Sequence, residues 1–117
     1  MRERGHRAER VAELIREEVA RLLEYEVKDP RIGFATVTAV HVSADLKTAR
    51  ISVSILGDES RKQQSMEGLT AALNYLRHEL AKRLGLRYTP AVVFELDRTE
   101  ESAKRIEDLL REYRSKS

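Results

Sequence analysis

The stretch Phe34-Ala-Thr-Val-Thr-Ala-Val-His-Val-Ser-Ala-Asp-Leu-Lys-Thr-Ala-Arg-Ile-Ser-Val-Ser-Ile-Leu56 decides the fold. Residues 34–42 are rich in β-branched side chains and read as a strand. Residues 48–56 alternate, with Ile51, Val53 and Ile55 on one face and Arg50, Ser52 and Ser54 on the other, the period-two pattern of a half-buried strand. Between them Ser43 to Lys47 makes a turn, with Asp45 placed to bond nearby backbone. Two strands joined by so short a turn form an antiparallel hairpin.

Working outward, Gly57-Asp58 breaks the second strand, and Ser60-Arg-Lys-Gln63 has capping-box spacing, so a helix is predicted to start there. Met66, Leu69, Leu73, Leu76, Leu80 and Leu84 continue one apolar stripe to a stop at Gly85. Pro90 opens a third strand, in which Val92, Phe94 and Leu96 point one way. A helical crossover back to the same sheet is right-handed and makes strands two and three parallel. Upstream, Ala8, Val11, Ile15, Val19 and Leu22, widened by Leu14 and Leu23, predict an amphipathic helix over 8–27 that Asp29-Pro30 stops. Downstream, Asp97 or Thr99 caps a last helix over 99–113, with Ala103, Ile106, Leu109, Leu110 and Tyr113 read as its buried stripe and 114–117 as a frayed tail.

The order is therefore α-β-β-α-β-α. Three strands are too few to cover both faces, so the expected architecture is a two-layer α+β sandwich, a three-stranded mixed sheet with helices on one face. Residues 1–117 are read as one domain with its core in about 8–97. A helix over 60–84 would be about 37 Å long at 1.5 Å per residue, whereas a nine-residue strand spans only about 30 Å. A bend at Ala72-Leu73-Asn74 is therefore predicted, with Asn74 leaving helical backbone, although the uninterrupted apolar stripe also suits a straight helix.

Lys and Arg number 22 against 20 Asp and Glu, a net charge of +2 on a chain that is 36% charged and holds no cysteine. That composition describes a folded domain with a charged shell, and it excludes a disulfide framework, a thiolate metal site and a Cys nucleophile. No apolar run is long enough to span a bilayer and no secretory segment is visible, so a cytoplasmic protein without membrane contact is expected. The charge is unevenly spread. Residues 60–90 carry six basic side chains against two acidic ones, a local +4, while 33–59 and 91–97 come to −1 and −2. A polyanion-binding face would lie along the second helix and its exit, and a solvated helix face is the plainer alternative.

Catalytic patterns are lacking. His6, His41 and His78 stand in no metal-ligand spacing, and His41, Ser43 and Asp45 share one hairpin tip, which suits a turn and not a proton relay. No two of the five glycines are closer than eleven residues, which excludes a P-loop, a dinucleotide fingerprint and any Gly-x-x-Gly clamp. No enzyme activity, cofactor, metal or small-molecule substrate is expected. A binding module remains. The hairpin followed by a long helix and a third strand resembles the KH type II RNA-binding fold, without its Gly-x-x-Gly loop.

Three stretches are similar to the ribosome-binding factor A family of bacterial small-subunit assembly factors: Arg10-Val-Ala-Glu-Leu-Ile-Arg-Glu-Glu-Val19, Asp29-Pro-Arg-Ile-Gly-Phe34 with Thr36 to Ala49, and Leu80 to Asp97. They occur in the family's order across about 90 of the 117 residues, and Arg87-x-x-Pro90-x-Val92-x-Phe94 is their most diagnostic element. Ile106-Glu-Asp-Leu-Leu110 looks like the family's last helix. The resemblance implies a KH-like domain that binds the free small (30S) ribosomal subunit. It further implies help in late maturation of 16S ribosomal RNA, including at low temperature, without catalysis. It also implies a helix-kink-helix with an Ala-x-Gly break, matched here by Ala72-Leu73-Asn74.

Lys28, Arg31, Arg77, Lys82, Arg83 and Arg87 are the candidate phosphate contacts, on segments that this topology can bring to one end. Aromatic stacking is not expected, because two Phe and four Tyr are few and most are read as core. The expected partner is the small subunit and its 16S RNA, met by a monomer. A protein-docking module whose charges serve only solubility is the alternative, and a steep salt dependence of binding separates the two.

Overall fold

The structure, a computed structural model, describes residues 2–116, without the side chains of 2–5, 100–103, 105–106 and 116. The hairpin pairs β1 (Ala35–Val42) with β2 (Thr48–Ile55) in antiparallel register. Its turn is fixed by Asp45, whose Oδ1 accepts the Ser43 hydroxyl at 2.6 Å and the Lys47 N–H at 3.0 Å. Leu46 takes up the left-handed backbone (φ 63°) that closes it. Ser43 and Asp45 are thus turn elements, each engaged by the other.

β1 carries one irregularity that decides its packing. Val37 opposes Val53 but Ala39 opposes Ser52, so Thr38 is an extra, bulged residue. Strand side chains alternate, so without the bulge Val37 would face opposite to Val40 and Val42. With it, Val37 and Val42 are both buried and Val40 half-buried on the core side. Thr38 donates its hydroxyl to Asp97 Oδ2 at 2.7 Å, fastening the bulge to the end of β3 (Ala91–Leu96).

β3 runs parallel to β2, with Phe94 beside Ile51 and Leu96 beside Val53, in the order β1-β2-β3. The core lies on one face. Ala49, Ile51, Val53, Ile55, Val92 and Phe94 are buried there beneath three helices. α1 (Arg2–Tyr25) buries Ala8, Val11, Ile15, Val19 and Leu22; α2 (Glu59–Ala71) buries Leu69; α3 (Leu73–Leu84) buries Leu76 and Leu80. His41, Arg50, Val93 and Glu95 point out of the opposite, open face.

Several boundaries move from their predicted places. α1 ends at Tyr25, where the Val27 N–H closes on the Leu22 carbonyl at 2.8 Å, before Asp29-Pro30 is reached. Asp58, not Ser60, caps α2, its Oδ1 accepting the Arg61 N–H at 2.8 Å. The long helix is interrupted at Ala72 (φ −85°, ψ −4°). The Ala72 N–H is shared between the Gly68 and Leu69 carbonyls, both at 3.1 Å, and its carbonyl accepts from Leu76 at 2.9 Å. Asn74 keeps a negative φ in the first turn of α3, which corrects the expectation that it leaves the helix.

The largest correction concerns α4 (Thr99–Lys116). Leu109, Leu110 and Tyr113 are 59%, 50% and 75% exposed, so they form no buried stripe; Ala103 and Ile106 lie outside the described side chains. The physical reason is that α1, α2 and α3 already cover the apolar face of the sheet that a fourth helix would need.

Candidate nucleic-acid interface

The six predicted phosphate contacts fall on three segments. Lys28 and Arg31 lie in the connection after α1, Arg77, Lys82 and Arg83 on α3, and Arg87 in the connection to β3.

The first connection is built tightly on α2. Asp29 Oδ2 accepts Arg31 Nη2 at 2.7 Å, and Oδ1 accepts the Arg31 N–H at 2.9 Å and Nε at 3.1 Å. These side-chain bonds from Arg31, then its backbone bond, hold the Asp29 carboxyl down at about 2. Ile32 is buried, and a Cβ on Gly68 would stand 2.8 Å from Ile32 Cγ1, so only glycine leaves room for this connection against α2. Arg61 reaches over Gly33 and donates to the Pro30 carbonyl at 3.4 Å.

α3 is tied to α1 by a second cluster. Arg83 donates to Glu26 at 2.8 Å and to Glu18 at 3.3 Å, with Glu79 at 3.9 Å. Its side chain is only 29% exposed. Arg31 and Arg83 therefore already hold carboxylates, and their charge is balanced locally. Lys82 has only an exposed contact to Glu79 at 3.4 Å, of a kind that contributes little. Among the described residues Lys28, Arg77 and Arg87 make no ion pair.

The expectation that these segments meet at one end is overturned. Lys28 follows the C-terminal end of α1, whereas Arg87 lines a groove with Arg7, near that helix's other end. Arg7 and Tyr25 are eighteen residues apart, about 27 Å of helix. α1 and α3 run antiparallel, Tyr75 and Arg83 meeting Glu26 while Arg83 also meets Glu18. The antiparallel connection carries Lys28 and Arg87 to opposite ends, with exposed Arg77 and Lys82 between them.

The groove at the Arg87 end has a volume of about 510 Å3 and is bordered by Arg7, Lys47, Arg87, Tyr88, Leu46 and Leu86. Sequence reasoning missed Arg7, Lys47 and Tyr88. The available signal was that Tyr88 stands in a connection, off every apolar helix face. The reading of the aromatics as core is likewise corrected: of six Phe and Tyr side chains only Phe94 is buried, and Tyr25, Phe34, Tyr75, Tyr88 and Tyr113 are exposed. Among the described residues no group of three or more His, Asp or Glu side chains is placed to hold a metal, and no helix is long and apolar enough to cross a membrane.

An open-faced mixed sheet under three helices, its crossover helix broken once, is a KH-like architecture, and solved structures share it. The crystal structure of ribosome-binding factor A from Thermus thermophilus superposes with a TM-score of 0.67 at 24% identity, covering 76% of this chain and 94% of that one. A homology model of the Thermus thermophilus protein, fitted into the cryo-EM map of a 30S complex, gives 0.62 at 26% identity over 73% and 89%. The family model of ribosome-binding factor A matches residues 7–110. The ribosome-binding factor A of Trichlorobacter lovleyi is 46% identical over 106 residues, 91% of this chain and 86% of its own length. The chain belongs to the ribosome-binding factor A family.

Proposed function

We propose that this chain is a non-catalytic assembly factor that binds the free small ribosomal subunit and assists late maturation of 16S ribosomal RNA, including at low temperature. It acts in the cytoplasm as a monomer and as one KH-like domain. The family match over residues 7–110 carries this reading. The 30S complex of the Thermus thermophilus relative supports the choice of partner. Lys28, Arg77, Lys82 and Arg87 contact phosphate along the α1–α3 side, and the Asp29–Arg31 and Glu26–Arg83 bonds hold the segments that carry them.

Co-sedimentation with purified small subunits tests this directly. The chain should pellet with free small subunits and not with assembled ribosomes, and a strain lacking it should accumulate immature 16S RNA, most strongly in the cold. Failure to pellet with free subunits contradicts the reading.

A second reading, docking on a ribosomal protein, has one observation of its own. Phe34 and Leu56 are 80% and 75% exposed, and the Leu56 N–H reaches the Phe34 carbonyl at 3.2 Å, so two large apolar side chains sit together at the sheet's end. Binding through them would be insensitive to salt, unlike phosphate contact.

A further inference from the structure

The groove beside the hairpin turn combines three features. Its cations come from three separate segments: Arg7 from α1, Lys47 from the turn and Arg87 from the connection before β3. Among the described residues no ion pair within 4 Å joins Arg7, Lys47 or Arg87 to a carboxylate; the Asp45 carboxyl is lowered first by the Ser43 hydroxyl and the Lys47 N–H, and less by the Lys47 charge. Asp45, the acid at the groove, accepts the Ser43 hydroxyl and the Lys47 N–H.

The second feature is the ring of Tyr88. It is 77% exposed, and the Arg87 guanidinium stands 5.6 Å from its centroid. The guanidinium lies over one face of the ring, and the other face of so exposed a ring is a platform on which a nucleobase stacks. Third, the site is rigidly framed. The Lys47 carbonyl accepts the Ala91 N–H at 2.9 Å, and Pro90 behind it is fully buried. The groove's volume of about 510 Å3 is that of a small-ligand site.

We propose that this groove holds an unpaired nucleotide of single-stranded RNA, its base on the Tyr88 ring and its phosphate among Arg7, Lys47 and Arg87. The inference deepens the proposed function and rests on it. A duplex would not serve, because its bases present no free face. An acidic peptide would satisfy the cations but leave the ring without a role.

The test measures binding of the full chain to a short unstructured RNA labelled with fluorescein, by anisotropy, alongside a duplex of the same length and an oligoglutamate peptide. Tyr88→Ala should weaken single-strand binding at least about fivefold, whereas Tyr88→Phe, which keeps the ring, should bind like the parent. Lys47→Gln with Arg87→Gln should weaken it at least about tenfold and flatten its salt dependence. Tyr88 is exposed, so its substitution leaves folding intact. Equal binding by Tyr88→Ala and the parent overturns the proposal, as does a preference for the duplex or for oligoglutamate. A chain that pellets with small subunits yet ignores the single strand overturns the groove and leaves the assembly role standing. A chain that does neither overturns both.

Discussion

The Arg83 guanidinium on α3 donates to the Glu26 carboxylate, one residue past the end of α1, at 2.8 Å. The Tyr75 hydroxyl donates to the same carboxylate at 2.8 Å. Two elements far apart in sequence are thereby held side by side on the surface that carries Lys28 and Arg77. The Tyr75 bond first, and the Arg83 bond second, hold the Glu26 carboxyl below its ordinary 4.5.

A carboxyl lowered on folding contributes stability that is fully present above its unfolded value and is lost as pH falls through the folded one. Glu26 should therefore stabilise the fold above pH 4.5 and cease to do so on acidification below it. Asp29 behaves likewise from 3.8 down to about 2. Urea midpoints measured against pH should fall less steeply in this range for Glu26→Gln and for Asp29→Asn than for the parent. Superimposable profiles would show that these bonds do not form in solution.

Phe94 lies opposite Ile51 in the parallel ladder and is 9% exposed. Truncation to Ala leaves a cavity between sheet and helices and should cost about 3–5 kcal/mol in denaturant titration. A loss below about 1 kcal/mol would mean that β3 does not contribute to this core.

Gly68 tests the seat of the connection after α1. Ala is a better helix former by about 1 kcal/mol, so on propensity alone Gly68→Ala would stabilise α2. The added Cβ, however, would meet Ile32 Cγ1 at 2.8 Å and Arg31 Cβ at 3.2 Å. Ile32 is buried in the core, so a shift of its side chain would disturb its neighbours. The variant should lose about 1–3 kcal/mol from overpacking. A gain in stability would show that the Arg31-Ile32 segment does not rest on α2.

Ser65 is fully buried in α2, and its hydroxyl has no hydrogen-bond partner among the described residues. Burying such a group unpaired costs about 1–3 kcal/mol. Ser65→Ala should therefore raise the unfolding midpoint, and a lowered midpoint would reveal a partner for the hydroxyl.

The hairpin and the parallel crossover were legible because they follow from local rules: alternation in 48–56, a turn at Asp45 and the handedness of crossovers. A break in the long helix followed from length, and the interruption at Ala72 falls within the predicted triplet Ala72-Leu73-Asn74, but which of the three residues leaves the helix did not follow. It depends on where the Ala72 N–H divides between two carbonyls, which the left-handed tolerance of Asn74 does not report. Periodicity named the apolar side of α4 but not what covers it, and Leu109 shows that nothing in the described core does. Residue type identified Arg83 as a cation. Its partner Glu18 is 65 positions away, so only the assembled fold shows that its charge is balanced. Counting aromatics suggested that most are core and singled out none for stacking, whereas Tyr88, in the connection between α3 and β3, is exposed.

Under the proposed function, binding to the small subunit runs through phosphate contacts of the exposed cations Lys28, Arg77 and Arg87. Its most direct test is the affinity for purified small subunits measured across a range of salt, for the parent and for Lys28→Gln/Arg77→Gln/Arg87→Gln. Each lost phosphate contact removes about 0.7–0.9 from the slope of log K against log salt. The parent should show a steep linear fall, and the triple variant an affinity at least about tenfold weaker with a slope shallower by about 2–3. A parent affinity indifferent to salt, or a triple variant with the parent's affinity and slope, would contradict it.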